Sequence, residues 1–309
     1  YELLEELQKV EPQAKPPTVY RALDFLLEQG FIHRVESTNS YIQCCSCNAH
    51  KHYSHLLICD KCSNVIELQD DSLVKTINFK KPGYIGDPVN TARIFNELEV
   101  DELAVLDITA TNKKRKPNFK ILSELANECF MPLAYGGGIC DFEDAKKIFQ
   151  IGIEKIIINS YAFERPAFIT ELAEHFGNQA VVASIDVKKN LFGKYQVYSN
   201  AGNKKQKVDV VTWAQELEKL GAGEILLTAI HQEGTWKGFD TDLIKSVTYA
   251  VDIPVIANGG ASSINDIGKA VKQGNASAVS IGSMVVYQNK GMGVLVNFPD
   301  NKKLKRELE

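Results

Sequence analysis

The chain has 309 residues, of which 44% are hydrophobic and 24% charged, enough to bury a substantial core and to hold one large domain plus a smaller one. A net charge of −4 excludes any global attraction to nucleic acid or to an anionic membrane face. No apolar run is long enough to span a bilayer and no signal-peptide pattern opens at Tyr1, so the cytoplasm is the expected compartment and no membrane partner is expected.

Residues 1–63 read as helix, helix, hairpin and Cys/His cluster. Residues 1–7 have helical apolar spacing and residues 11–15 form a polar loop. Pro16 and Pro17 then open a second helix, on which Val19, Ala22, Leu23, Leu26 and Leu27 form one apolar stripe that stops at Gly30. Residues 31–35 and 40–43 read as two short strands around the polar turn 36–39. A helix-turn-helix followed by such a wing is a DNA-reading layout. Five of the seven cysteines then crowd between residues 44 and 62, which in a reducing compartment points to metal ligation rather than disulfides. Cys44-x2-Cys47 and Cys59-x2-Cys62 have the paired spacing of a tetrahedral zinc site, because two thiolates three residues apart can share one ion.

The runs Pro16-Pro17-Thr18-Val19-Tyr20-Arg21-Ala22-Leu23, Gln29-Gly30-Phe31 and Val35-Glu36-Ser37-Thr38-Asn39-Ser40-Tyr41 resemble the zinc-uptake regulator branch of the ferric-uptake-regulator family. The resemblance implies that Thr18, Tyr20 and Arg21 lie on a DNA-recognition helix. It also implies that His33, Cys44, His52 and Glu67 are regulatory Zn2+ ligands, with Cys59 and Cys62 forming half of a structural site. The two ligand sets share Cys44, so both cannot be full at once. Residues 1–71 hold 6 Lys+Arg against 11 Asp+Glu. Affinity for DNA rests on basic residues meeting phosphates, so this balance opposes DNA as a partner.

From residue 64 onward strands and helices alternate, the sign of a parallel sheet with crossover helices. The expected strands are 64–69, 102–109, 133–135, 155–159, 181–187, 224–230, 255–257 and 278–281. Amphipathic stretches lie between them at 88–97, 119–129, 141–150, 167–176, 210–220, 240–250 and 263–273. Eight such units predict an α/β fold, a (β/α)8 TIM-type barrel over 64–309 carrying an N-terminal winged-helix fragment over 1–63, with chemistry at the carboxyl ends of the strands. The segment 64–69 is expected to be recruited as the first barrel strand, since an open barrel would expose two strand edges.

An internal echo sharpens this expectation. Pro132, Gly137, Gly138, Asp144 and Gly152 recur 122 residues later as Pro254, Gly259, Gly260, Asp266 and Gly274. A repeated strand, glycine-rich turn and helix implies two similar half-barrels, each offering backbone N–H groups to an anion. Gly137, Gly138, Asn159 and Ser160 would form one phosphate seat, and Thr228, Gly259, Gly260, Gly282 and Ser283 the other. A substrate with a phosphate at each end would fit.

The motifs Leu106-Asp107-Ile108-Thr109-Ala110, Gly136-Gly137-Gly138-Ile139, Ser184-Ile185-Asp186 and Asn258-Gly259-Gly260-Ala261 resemble the cyclase subunit of imidazole glycerol phosphate synthase. Within that family, Leu73-Val74-Lys75-Thr76, Tyr84-Ile85-Gly86-Asp87-Pro88 and Gly234-Thr235-Trp236-Lys237-Gly238-Phe239-Asp240 are closer to the branch linked to acetamidino-sugar and surface-polysaccharide synthesis. The resemblance implies a glutaminase amidotransferase partner that supplies ammonia, a phosphorylated small-molecule substrate, and no cofactor for the barrel. It implies Asp186 as one catalytic carboxyl group, Glu67 at the position of the other, and Glu102, Lys155 and Glu224 as an ammonia gate. His231 and Glu233 stand where the family's cyclase loop carries aspartates. Adding ammonia to an electrophilic carbon and closing a ring needs proton transfer on opposite sides of the substrate, which suits two carboxyl groups. Glu67 is thus claimed twice, as zinc ligand and as acid/base, with a plain strand residue as the third reading. Two alternatives to an ammonia-dependent synthase remain: a zinc-responsive DNA-binding regulator, and a join of two genes in which neither activity survives whole.

Overall fold

The structure, a computed structural model, describes residues 7–9, 11–12, 15–28, 31–35, 40–43, 55–58, 65–68, 73–77, 79–190 and 192–308. The chain divides into two units, 1–72 and 73–309.

In the first unit the helix Pro16–Glu28 begins where two prolines supply a preset φ and no unsatisfied N–H. Leu23 is buried on it, while Tyr20 and Arg21 are exposed. Strand β1 (Ile32–Val35) pairs antiparallel with β2 (Ser40–Gln43), so the wing forms as its sequence predicts. Strand β3 (His55–Ile58) pairs antiparallel with β4 (Val65–Leu68), placing Glu67 opposite Leu56. Recruitment of 64–69 into the barrel therefore fails. A short apolar run such as Val-Ile-Glu-Leu fits either partner, and the antiparallel neighbour a few residues upstream is reached at the smaller loop-closure cost.

The second unit opens with an antiparallel hairpin, β5 (Leu73–Ile77) and β6 (Lys80–Gly86). Its main sheet carries β7 (Leu103–Leu106), β8 (Leu133–Gly136), β9 (Lys155–Ile158) and β10 (Val181–Lys189), each parallel to the next. A side hairpin, β11 (Tyr195–Ser199) and β12 (Lys204–Lys205), grows from the end of β10. The sheet continues with β13 (Glu224–Ala229), β14 (Val255–Asn258) and β15 (Ala278–Ser280), again all parallel. This is the curled sheet of a (β/α)8 barrel. Seven of the eight expected strands are in it; β7 and β15 are its ends among the described residues.

Alternation along these strands sorts two faces. Leu133, Tyr135, Ile156, Ile158, Val181, Ile185, Ile225 and Leu227 join Leu122, Ile148, Phe168, Leu172 and Leu217 of the helices in the main core. The opposite face carries a smaller cluster of Ala134, Ile157, Val182 and Leu226, with Ile256 packed against it. On β7, whose free edge has no partner among the described strands, Leu106 is 44% exposed. Residues absent from the sequence expectation include the hairpin β11–β12 and a terminal helix, Asn301–Leu308.

Candidate active site

The inner face resolves into three layers, because side chains two residues apart share a face. On β9 they are Lys155, Ile157 and then Asn159, and on β13 Glu224, Leu226 and Thr228. A rise of about 3.3 Å per residue separates the outer layers by roughly 13 Å. The charged layer sits at the amino end, the apolar cluster in the middle, and the polar layer at the carboxyl end.

At the amino end Lys155 Nζ lies 2.8 Å from Glu102 Oε2 and 2.8 Å from Glu224 Oε1. Partial burial acts to lower the Lys155 pKa, but the two carboxylates outweigh it and the net shift is upward. The three residues expected to form a gate are therefore in contact.

At the carboxyl end Asp186, Thr228, Asn258 and Ser280 form one row across four neighbouring strands. Asp186 is 7% exposed. Burial pushes its carboxyl group up to about 7, against hydrogen bonds from Thr228 and Asn159, and the charge of Glu233 acts in the same direction as burial. Asn258 Nδ2 donates to Thr228 Oγ1 at 3.1 Å, leaving the hydroxyl hydrogen for Asp186. A carboxyl group poised between its two forms at neutral pH, fixed by a short polar relay, is equipped to give and take protons.

Around this group the sequence repeat becomes a geometric one. A Cβ on Gly137 would lie 2.6 Å from the backbone O of Asp107, and a Cβ on Gly259 would lie 2.9 Å from that of Ala229. The next glycines repeat the pattern: Gly138 meets the backbone O of Arg115, and Gly260 that of Gly238. All four glycines have positive φ. Residues 107 and 229 are again 122 apart, so glycine is dictated at both turns by the same approach of the preceding loop. Asn159 and Gly282 open the short helices Ser160–Glu164 and Ser283–Val286 beside these turns. Ser160 Oγ accepts from the Asn200 backbone N–H at 2.9 Å. Gly259, Gly260, Gly282, Ser283, Asn258 and Glu233 border one small pocket, with room for no more than about one water.

One cluster was not legible in the sequence. Asp240 accepts from Tyr195 at 2.8 Å and from the Leu243 N–H at 3.1 Å, and lies 2.9 Å from both Lys189 Nζ and His231 Nε2. Burial alone would raise its pKa, but these partners hold it well below the usual carboxylate range. Its only local signal is that of a helix N-cap ahead of Thr241–Thr248.

The other expected site residues fall in the first unit. Thr18, Tyr20 and Arg21 are on the helix Pro16–Glu28. His33 and Glu67 occupy strand positions in two separate two-stranded sheets. Cys44, Cys47, His52, Cys59 and Cys62 lie outside the described residues.

A parallel sheet curled as in a (β/α)8 barrel, with a buried carboxyl group and duplicated glycine turns at the carboxyl ends of its strands, places the chain in that fold class. The model of the histidine biosynthesis protein family matches residues 63–291, and the chain belongs to that family. It is 46% identical over 237 residues to a Pseudomonas aeruginosa protein provisionally named imidazole glycerol phosphate synthase subunit hisF2, covering 77% of this chain and 94% of the relative. The imidazole glycerol phosphate synthase subunit HisF of Alkaliphilus metalliredigens is 40% identical over 222 residues, covering 72% and 88%. The ferric uptake regulator family model matches residues 1–82. The two family matches overlap at 63–82, the stretch that contains β4, β5 and the start of β6.

Proposed function

We propose that the barrel is an ammonia-using synthase that acts on a phosphorylated small molecule, in histidine biosynthesis or in acetamidino-sugar synthesis, with a glutaminase as its ammonia source. Asp186 carries the reading: a buried carboxyl group held near neutrality between two glycine turns. The turns seat the substrate by backbone N–H groups, and Asp186 moves the proton as ammonia adds to the substrate carbon. Lys155, Glu102 and Glu224 stand at the opposite end of the inner face, where ammonia would enter, and the apolar layer of Ile157, Val182 and Leu226 lies along its way. A small neutral molecule crosses such a layer more readily than ammonium does, which suits a gate that sorts the two by charge.

The test is turnover by the full chain with an ammonium salt and either the bis-phosphorylated histidine precursor or an acetamido-sugar phosphate. Turnover in one arm that Asp186→Asn lowers at least a hundredfold supports the reading, on the scale of a lost acid/base group. No turnover in either arm by folded protein removes it.

A second reading concerns the first unit and rests on the ferric uptake regulator match together with the formed wing. We propose that it binds zinc through the cysteines and histidines of residues 33–62, a thiolate and imidazole donor set suited to Zn2+. Elemental analysis should find about one zinc per chain, and less than about 0.2 overturns this reading. DNA binding is a further step, tested by zinc-dependent retardation of an operator duplex.

A further inference from the structure

The side hairpin β11–β12 lengthens the barrel wall above the end of β9. Strand β10 pairs with β9 over Val181–Ala183 and with β11 over Asp186–Lys189, while β13 holds its other edge as far as Val187, so the hairpin continues the β9 side of the sheet. Residues directly opposite each other on paired strands share a face. On one face Val197 stands opposite Val187 in the main core, and Tyr195 reaches Asp240. The other face is that of Asp186: Tyr198 stands opposite Asp186, Gln196 opposite Lys188, and Lys205 of β12 opposite Tyr198. The polar row Ser280, Asn258, Thr228 and Asp186 therefore runs on through Tyr198 to Lys205, with about 5 Å from strand to strand. The turn between β11 and β12 is tied to the first seat, where the Asn200 backbone N–H donates to Ser160 Oγ at 2.9 Å.

This face also carries free charge. Lys188 and Lys205 are exposed and have no ion-pair or hydrogen-bond partner among the described residues. The cations beside the Gly137–Gly138 turn are already engaged. Arg115, whose backbone O abuts Gly138, lies 2.6 Å from Thr109 Oγ1 and 3.4 Å from Asp107 Oδ2, and Lys116 Nζ lies 2.9 Å from Asp144 Oδ2. Backbone N–H groups bring hydrogen bonds but no net charge to a phosphate, which carries roughly −1.5 to −2 at pH 7.

We propose that Lys188 and Lys205 are substrate-binding residues that supply the positive charge of the first seat, so that the hairpin selects substrates whose group at Gly137–Gly138 and Ser160 is anionic. A lysine ammonium is a compact charge on a flexible stem, able to close on an anion held beside it without a fixed geometry. The inference rests on the proposed phosphate seating and deepens it by naming the side chains that neutralise the seated group.

The experiment is a titration of the isotope-labelled full chain with inorganic phosphate at pH 8, following the amide resonances of Gly137, Gly138 and Ser160. The double variant Lys188→Gln/Lys205→Gln should raise the phosphate concentration at half-response by at least about fivefold, the scale of losing charge-assisted contacts to an anion. Lys188→Arg/Lys205→Arg keeps both charges, and Lys194→Gln removes a charge from the exposed bend that precedes β11; each should stay within about twofold of the parent protein. Unshifted amide resonances of Ile156 and Ile225, in the core strands, report that a variant is folded. A rise below about fivefold in the glutamine pair, or a rise as large in the arginine pair or in Lys194→Gln, overturns the inference while leaving phosphate seating intact. Silence of the three amides in the parent protein overturns phosphate seating at that turn, and the inference with it.

Discussion

Asp186 and Asp240 are both buried carboxyl groups at the carboxyl end of the strands, yet their surroundings drive them in opposite directions. Asp186 is raised to about 7, chiefly by burial. Between its ordinary value near 4 and that point the folded chain holds a proton the unfolded chain has lost, so the stability it contributes falls as pH rises through that window. Asp186→Asn should flatten this slope and stabilise the protein at pH 8 by on the order of a few kcal/mol, read from urea unfolding at pH 5 and 8. An unchanged slope would mean the carboxyl group is not desolvated. Asp240 is lowered, so its contribution is present above about pH 4 and is lost as pH falls below it. Asp240→Asn leaves Lys189 and His231 without their shared carboxylate and should cost about 2–4 kcal/mol near neutrality, measured by the same unfolding. A cost under about 0.5 kcal/mol would reduce the cluster to a solvated surface pair.

At the scale of elements, the glycine turns make a sharper test than any single contact. Gly138 and Gly260 have positive φ and each would drive a Cβ into a carbonyl oxygen of the preceding loop, whereas Gly152 has positive φ with open space around it. Alanine at Gly152 should therefore cost only about 1 kcal/mol of backbone strain, and alanine at Gly138 or Gly260 distinctly more. Equal costs at all three, by thermal unfolding, would show that the close approach does not matter. These turns were legible because a glycine pair after an apolar run, repeated at one offset, reports a backbone requirement twice. The partner of Val65–Leu68 was not legible. Four residues of strand pattern encode which face is buried but not which neighbour supplies the hydrogen bonds, and the nearer strand won. The Asp240 cluster escaped for a related reason: Tyr195 and Asp240 are 45 residues apart, and no local pattern joins them.

For the whole molecule, the division into two units predicts two unfolding events. The larger unit holds the main cluster of buried side chains, and the described part of the smaller one comprises helical residues 7–9, the helix Pro16–Glu28 and two two-stranded pairings. Calorimetry of the full chain should show a weak early transition and a larger later one. If the first unit binds zinc, a strong chelator should move the early event down by several degrees and leave the later one in place. A single transition that shifts as one would mean the units unfold cooperatively.

The rims of the parallel sheet carry a practical consequence. Along the outer sides of β7 and β15 runs a ladder of amide and carbonyl groups that no described strand meets, with Leu106 open to water beside it. Such a ladder accepts any extended polypeptide of suitable length, a neighbouring molecule included. The apparent molar mass from light scattering should therefore rise with protein concentration, and a short β-strand peptide in excess should hold it at the monomer value; a constant mass would mean that those two rims are covered.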